Sequence, residues 1–184
     1  MKNTLLVLLS ILIISCQTKE DPYVKEVWPN GKPKTLSIQV NGVDSYTLTM
    51  DSLGQIERFT PMKQGKTHGA EILYTSNAQL NSILNFKDGE RNGYTYQFFP
   101  DGMKSFQGFA SDGGFNGIST WYYTNGQILE TGIRNGNKKD GEWVEYFQNG
   151  VLKGKGTYTR GKKNQDWQYW NMQGLPVTGE PQTP

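Results

Sequence analysis

Few side chains in this chain could carry out chemistry. His68 is the only histidine. It stands in Lys66-Thr67-His68-Gly69, a polar stretch between candidate strands. As base to a Ser or Thr nucleophile it would need an orienting acid and an oxyanion site. No Gly-x-Ser-x-Gly elbow occurs in the sequence. A carboxylate pair is the other enzymatic route. Glu142 and Glu145 stand three apart, and on a strand such residues face opposite sides. Asp88, Glu90, Asp101 and Asp112 fall in predicted turns, where solvated acids are normal. No run of acids has EF-hand spacing. The Gly136–Gly141 loop lacks the Gly-x4-Gly-Lys-Ser/Thr order of a phosphate loop. A single His and a single Cys exclude a multi-His or Cys-rich metal centre and a disulfide framework. The sequence therefore predicts no catalytic residue, no metal site and no cofactor.

The elements that would position any site are set by a repeat. A recurring aromatic-aromatic-x-Asn-Gly motif places its glycine, or a replacement, at Gly31, Gly54, Ala78, Gly102, Gly126, Gly150 and Gly174. The intervals are 23 and then 24 five times over. Other glycines keep fixed distances from these anchors. Offset 6 holds Gly108, Gly132 and Gly156. Offset 11 holds Gly42, Gly65, Gly89, Gly113 and Gly161, and offset 15 holds Gly69, Gly93, Gly117 and Gly141. Glycines in register are placed by geometry and are not linker composition. In this frame His68 sits one before an offset-15 glycine, where other repeats have Asn92, Asn116 and Asp140. It reads as a polar turn residue.

Asn30-Gly31, Asp101-Gly102, Asn125-Gly126 and Asn149-Gly150 predict tight two-residue type I′ turns. Counting outward, the residue three before each anchor should pair with the residue two after it: Phe147 with Leu152, Tyr123 with Ile128, Phe99 with Lys104. A wider polar turn, such as Asn135 through Gly141, should close each unit. The pattern predicts an all-β fold, an elongated antiparallel β-meander of about seven 24-residue hairpin repeats over residues 27–176, with up to fourteen strands. Nothing in that span has an extended helical period. Tyr74, Phe98, Tyr122, Tyr146 and Trp170 occupy one column and should form a row on one face. Phe99, Tyr123 and Phe147 should line the other. Pro33 and Pro176 mark the terminal repeats, where edge strands are blunted, and residues 177–184 read as a disordered tail.

The 184 residues include 19 Lys+Arg and 17 Asp+Glu, so no net charge holds the chain open. The 23 aromatics supply apolar surface for a folded domain with few aliphatics. Lys153, Lys155, Arg160, Lys162 and Lys163 fall within eleven residues with no acid among them. This cluster and the aromatic row are the candidate partner-binding residues.

Lys2 and the apolar run Leu5–Ile14 form the pattern of an export signal over residues 1–15, too short to span a bilayer as a helix. The sequence Ile13-Ile14-Ser15-Cys16 resembles the lipobox of bacterial lipoproteins. That resemblance implies lipidation of Cys16, a tether over residues 16–26 and attachment to the outer membrane, periplasmic or surface-exposed. The exported address and near-neutral charge argue against nucleic acid.

Tyr146-Phe147-Gln148-Asn149-Gly150-Val151-Leu152-Lys153, with Gly161 and Trp167, resembles the MORN-repeat variant family. So do Tyr122-Tyr123-Thr124-Asn125-Gly126-Gln127-Ile128-Leu129 and Gly141-Glu142-Trp143. The resemblance implies a binding β-meander, and in bacteria an antitoxin-like association. The expectation is a non-enzymatic, membrane-anchored envelope lipoprotein whose sheet is a protein-binding scaffold. Toxin immunity and glycan binding through stacked aromatics are the alternatives.

Overall fold

Two kinds of turn alternate along the 24-residue period, and together they set the register. The computed structural model describes residues 20–181. The first half of the chain comprises β1 (Glu20–Val27), β2 (Pro33–Val40), β3 (Val43–Met50), β4 (Ile56–Lys63), β5 (Lys66–Thr67), β6 (Gly69–Tyr74), β7 (Leu80–Lys87) and β8 (Glu90–Phe98). The second half comprises β9 (Lys104–Ser111), β10 (Gly114–Tyr122), β11 (Ile128–Asn135), β12 (Lys138–Tyr146), β13 (Leu152–Thr159), β14 (Lys162–Lys163), β15 (Gln168–Trp170) and β16 (Pro176–Val177). All pairings are antiparallel, between consecutive strands except where β4 pairs with β6 and β13 with β15. Fourteen strands form one continuous path from β1 to β16, and the short β5 and β14 pair beside it. Among the described residues there is no helix. The all-β meander predicted from the period is the observed fold.

The turn types are the reverse of the sequence expectation. At the anchor Gly150, its N–H donates to the Phe147 carbonyl at 2.8 Å, and the Phe147 N–H donates to the Val151 carbonyl at 2.8 Å. This is a three-residue loop, a type I turn followed by a left-handed glycine that forms a bulge. Only the glycine has positive φ (+82°); Asn149 does not. The cause is the Asn149 side chain, whose Oδ1 accepts the Val151 N–H at 3.1 Å and holds its own backbone right-handed. Asn30, Asp101 and Asn125 do the same. The two-residue turns with positive φ at both positions lie at the other end of each hairpin, as at Asn41-Gly42, Asp88-Gly89 and Arg160-Gly161.

The extra glycine shifts the pair beside each anchor turn by one, and a bulge then restores the predicted register along the rest of the strands. Tyr146 pairs with Leu152, Tyr122 with Ile128 and Phe98 with Lys104. The expected pairs from Phe147, Tyr123 and Phe99 do not form, because those residues close the loop itself.

Both ends of the sheet extend beyond the repeat frame. Glu20–Val27, placed largely in the tether by the sequence, is a full strand. Pro22 and Val24 stand opposite Ile38 and Leu36 and continue that apolar face. At the other end Val177 pairs with Tyr169. Glu180 then accepts hydrogen bonds from Lys163 (3.1 Å) and Tyr169 (3.4 Å), so the segment read as tail begins with ordered contacts. Pro33 and Pro176 each open a strand, where the missing N–H costs no ladder bond.

A single-layer sheet has two faces, and side-chain alternation assigns residues to them. One is packed, holding Ser37, Ser119 and Trp143, all fully buried. The other is open, with Tyr94, Phe109, Ile118 and Ile133 exposed.

Candidate binding faces of the sheet

The packed face is built by tryptophans lying on glycines. Gly132 opposes Trp143 across β11 and β12, and a Cβ at 132 would fall 2.5 Å from the indole Cγ. Gly156 stands in the same relation to Trp167, with 2.5 Å to Cγ. A Cβ at Gly108 would come within 2.6 Å of the Phe106 ring. These offset-6 glycines do not have positive φ, so ring packing rather than turn geometry requires them. The rings continue as a ladder: Phe106 to Trp121 at 4.6 Å, Trp121 to Trp143 at 6.0 Å, Trp143 to Tyr158 at 6.0 Å, and Tyr158 to Trp167 at 5.5 Å.

Cations lie over this ladder. The Arg134 guanidinium is 4.9 Å from the Trp121 ring, Lys139 Nζ 4.2 Å from Trp143, and Lys163 Nζ 3.9 Å from Trp167. Such contacts are favourable on the ring faces. Each lysine also holds an acid: Lys139 meets Glu130 at 2.5 Å, and Lys163 meets Glu145 at 3.4 Å. Burial alone would lower the Lys163 pKa. Hydrogen bonds to Tyr169 and Glu180, with Glu145 nearby, outweigh it and raise the ammonium above its ordinary value. Burial likewise lowers Arg134, opposed by Glu130. Glu130 and Glu145 pair directly across β11 and β12. Local spacing points to Glu142 with Glu145 and misses this pair, because only the register brings residues fifteen apart together.

The predicted aromatic row lies on the open face. Phe98 pairs with Lys104, whose Nζ stands 5.6 Å over the Tyr122 ring, so Phe98 and Tyr122 flank one side chain. Tyr74, Tyr146 and Trp170 hold the equivalent strand-end positions, opposite Leu80, Leu152 and Pro176. All five are half-buried. Tyr123 belongs to the other face, where burial above all, and then the Glu145 charge, raise its phenol pKa. Its hydroxyl donates to the Tyr146 carbonyl at 2.9 Å.

A more exposed stripe crosses the same open face at the opposite end of the strands. Tyr94 pairs with Phe109, their rings edge-on at 5.4 Å. Ile118 pairs with Ile133, and these are 68% and 47% exposed. Phe109 and Ile118 sit on adjacent strands where the β9–β10 register shifts. Sequence reasoning passes over these residues because it counts from the anchor turns. The columns eight before and seven after the anchor hold Tyr94 with Ile118, and Phe109 with Ile133.

The basic cluster is divided by the fold. Lys163 and Lys153 meet Glu180, at 3.1 and 3.9 Å, and Lys163 also meets Glu145. Lys155 stands 5.6 Å over the Trp170 ring on the open face. Arg160, in a two-residue turn, and Lys162 beside it are exposed. The acids missing from the local sequence are supplied by residues distant along the chain. His68 Nδ1 lies 3.1 Å from Asp88 Oδ1 and faces the Asp88 N–H at 3.4 Å. Asn116 and Asp140 similarly accept N–H groups from the next repeat, at Gly136 and Arg160. His68 thus occupies a stapling column between turns. Cys16 lies outside the described residues.

The MORN repeat variant family model matches residues 115–133 and 139–160. Each match spans a strand, the glycine-bulged turn and the following strand, β10–β11 and β12–β13. No curated protein matches the chain.

Proposed function

We propose that this chain is a non-enzymatic repeat scaffold, tethered to the outer membrane through lipidated Cys16, whose open sheet face binds a protein. The observation that carries the reading is the stripe of Tyr94, Phe109, Ile118 and Ile133, exposed in register on four adjacent strands. Contiguous exposed apolar surface on a folded chain is the mark of an interaction site. Aromatics offer contact area at low entropic cost. The matched repeats support the same reading, since MORN repeats are repeat modules that often bind membranes or proteins. Cys16 precedes Glu20 by four residues, so a lipid there would hold β1 within about 14 Å of the bilayer surface. Toxin immunity would be a special case, with the toxin as the bound protein.

Photocrosslinking from position 118 in intact envelopes tests the binding reading. A discrete crosslinked protein species at 118, absent at Leu53, is expected. Recovery of no crosslinked protein, together with clear binding to a glycan array, overturns it. For the tether, Cys16→Ser should release the protein from the membrane fraction. Unchanged partition would refute lipidation.

A further inference from the structure

From the open face we infer that its partner is a second copy of this chain, packed sheet against sheet. The inference rests on the reading of that face as a protein-binding surface and names what binds there.

The first ground is architecture. A sheet with an apolar face ordinarily buries it under a second layer, and no other element of the described residues covers this one. The second is area. The four stripe side chains expose together roughly 400 Å², from the size of such side chains and their exposed fractions. A parallel row on the same face runs from Phe59 through Ile72, Ile83 and Tyr96 to Thr131, each half-buried. With its remaining exposed surface the apolar face approaches the ~800 Å² per partner of a standard interface.

The third ground is charge. In a two-fold interface a residue near the axis meets its own copy, so a charge there repels itself. Between β4 and β11 both rows are uncharged. The stripe row reads Pro61, Ala70, Asn85, Tyr94, Phe109, Ile118 and Ile133, and the parallel row adds Gln107 and Thr120. Lys104 reaches over the parallel row from one side, its Nζ 5.4 Å from the Tyr96 ring and 2.8 Å from Gln107 Oε1, so the stripe row is the one clear of charge, and the Lys87–Glu90 pair closes the turn at the other side. Glu142, paired with Thr157 on the next hairpin, ends the neutral zone. Two such twisted faces can pack about 10 Å apart, their strands crossing at about 30°.

Sedimentation equilibrium of the full chain in density-matched detergent tests this. The expected protein mass is twice that of the monomer. Ile118→Lys with Ile133→Lys should weaken association at least tenfold. Its far-UV circular dichroism should not change, since both side chains are already largely exposed. Leu53→Lys, 70% exposed in an anchor turn, should leave the dimer intact. A monomer at every concentration, or a dimer that ignores the double substitution, overturns the inference. A monomer that still crosslinks to a different protein from position 118 overturns it while leaving the scaffold reading in place.

Discussion

Trp143 lies flat on Gly132, and the space a single methyl would need at residue 132 is already filled by the indole. Trp143 is fully buried, and its Nε1 donates to the Ile133 carbonyl at 2.8 Å. One glycine therefore allows the ring to seat, and one ring closes the packed face between two repeats.

Gly132→Ala should destabilise the protein by about 1–3 kcal/mol through overpacking. Trp143→Ala should cost about 3–5 kcal/mol. Gly102 has positive φ, but nothing lies within 4 Å of the place a methyl would take there. Gly102→Asn should therefore cost less than Gly132→Ala, through backbone strain alone, since Asn enters the left-handed region more readily than other L residues. Urea denaturation midpoints measure all three. A Gly132→Ala midpoint equal to that of the parent would show that the ring can move aside.

Ala78 occupies an anchor position with φ +58°. A left-handed alanine carries a Cβ–carbonyl clash of roughly 1 kcal/mol that glycine avoids. Ala78→Gly should raise the thermal midpoint, by about 0.5–1 kcal/mol of stability, although glycine is entropically costly at most positions. A lowered midpoint would mean that the turn at Thr75 is not strained.

Burial ranks the aromatic rows differently from their sequence columns. Phe147 is 2% exposed and should cost about 3–5 kcal/mol on truncation to alanine. Tyr122 is half-buried on the open face, so Tyr122→Ala should cost clearly less. Val27, 60% exposed in the first repeat, should tolerate alanine within about 0.5 kcal/mol. Equal losses at Phe147 and Val27 would contradict the assigned burial.

The hydrogen bond from Lys25 to Asp44, joined by those from Gln39 and Tyr23, holds the Asp44 carboxyl well below the usual carboxylate range. A carboxylate depressed in the folded state stabilises it above the unfolded pKa and loses that contribution as the pH falls toward the folded value. Asp44 ties β1 to the rest of the sheet, so β1 should loosen as the pH falls below about 4. Amide signals of Tyr23 to Glu26, followed by NMR from pH 6 downward, should broaden or shift in that window. The Asp44→Asn variant should lose the effect, and an identical titration of β1 in both would refute the assignment.

Asn149 serves two turns. Its Oδ1 accepts the Val151 N–H, and its Nδ2 donates to the Met172 carbonyl of the next repeat at 3.2 Å. Asn149→Ala should cost about 1–2 kcal/mol, and Asn149→Asp less, because the carboxylate keeps the first bond. If the two variants proved equally unstable, the link to the next repeat would be the dominant one.

The sequence by itself determined the period, the hairpin meander and the absence of helix among the described residues, because these follow from local chemistry repeated in register. Asx-Gly pairs make turns, and aromatics flanking them make strands. Tertiary structure decided which turn took which form. The side-chain carbonyl oxygen of Asn149 captured a backbone N–H, kept the asparagine right-handed and left the glycine as an extra residue, so the pair beside the turn moved by one while a bulge returned the rest of the hairpin to the predicted register. The fold also decided why Gly108, Gly132 and Gly156 are glycine, since the rings that need the space come from the same or the neighbouring strand and turn onto them only in the folded sheet. The Lys153–Lys163 cluster looked free of acids because Glu145 and Glu180 lie outside its window. The fold brings them to Lys163, Glu145 from β12 and Glu180 from the segment after β16. Exposure, likewise, belongs to a face rather than to a residue: Tyr94 and Trp143 are both aromatics in strands, and only the direction of the pleat and the neighbours above it leave one in solvent and the other sealed.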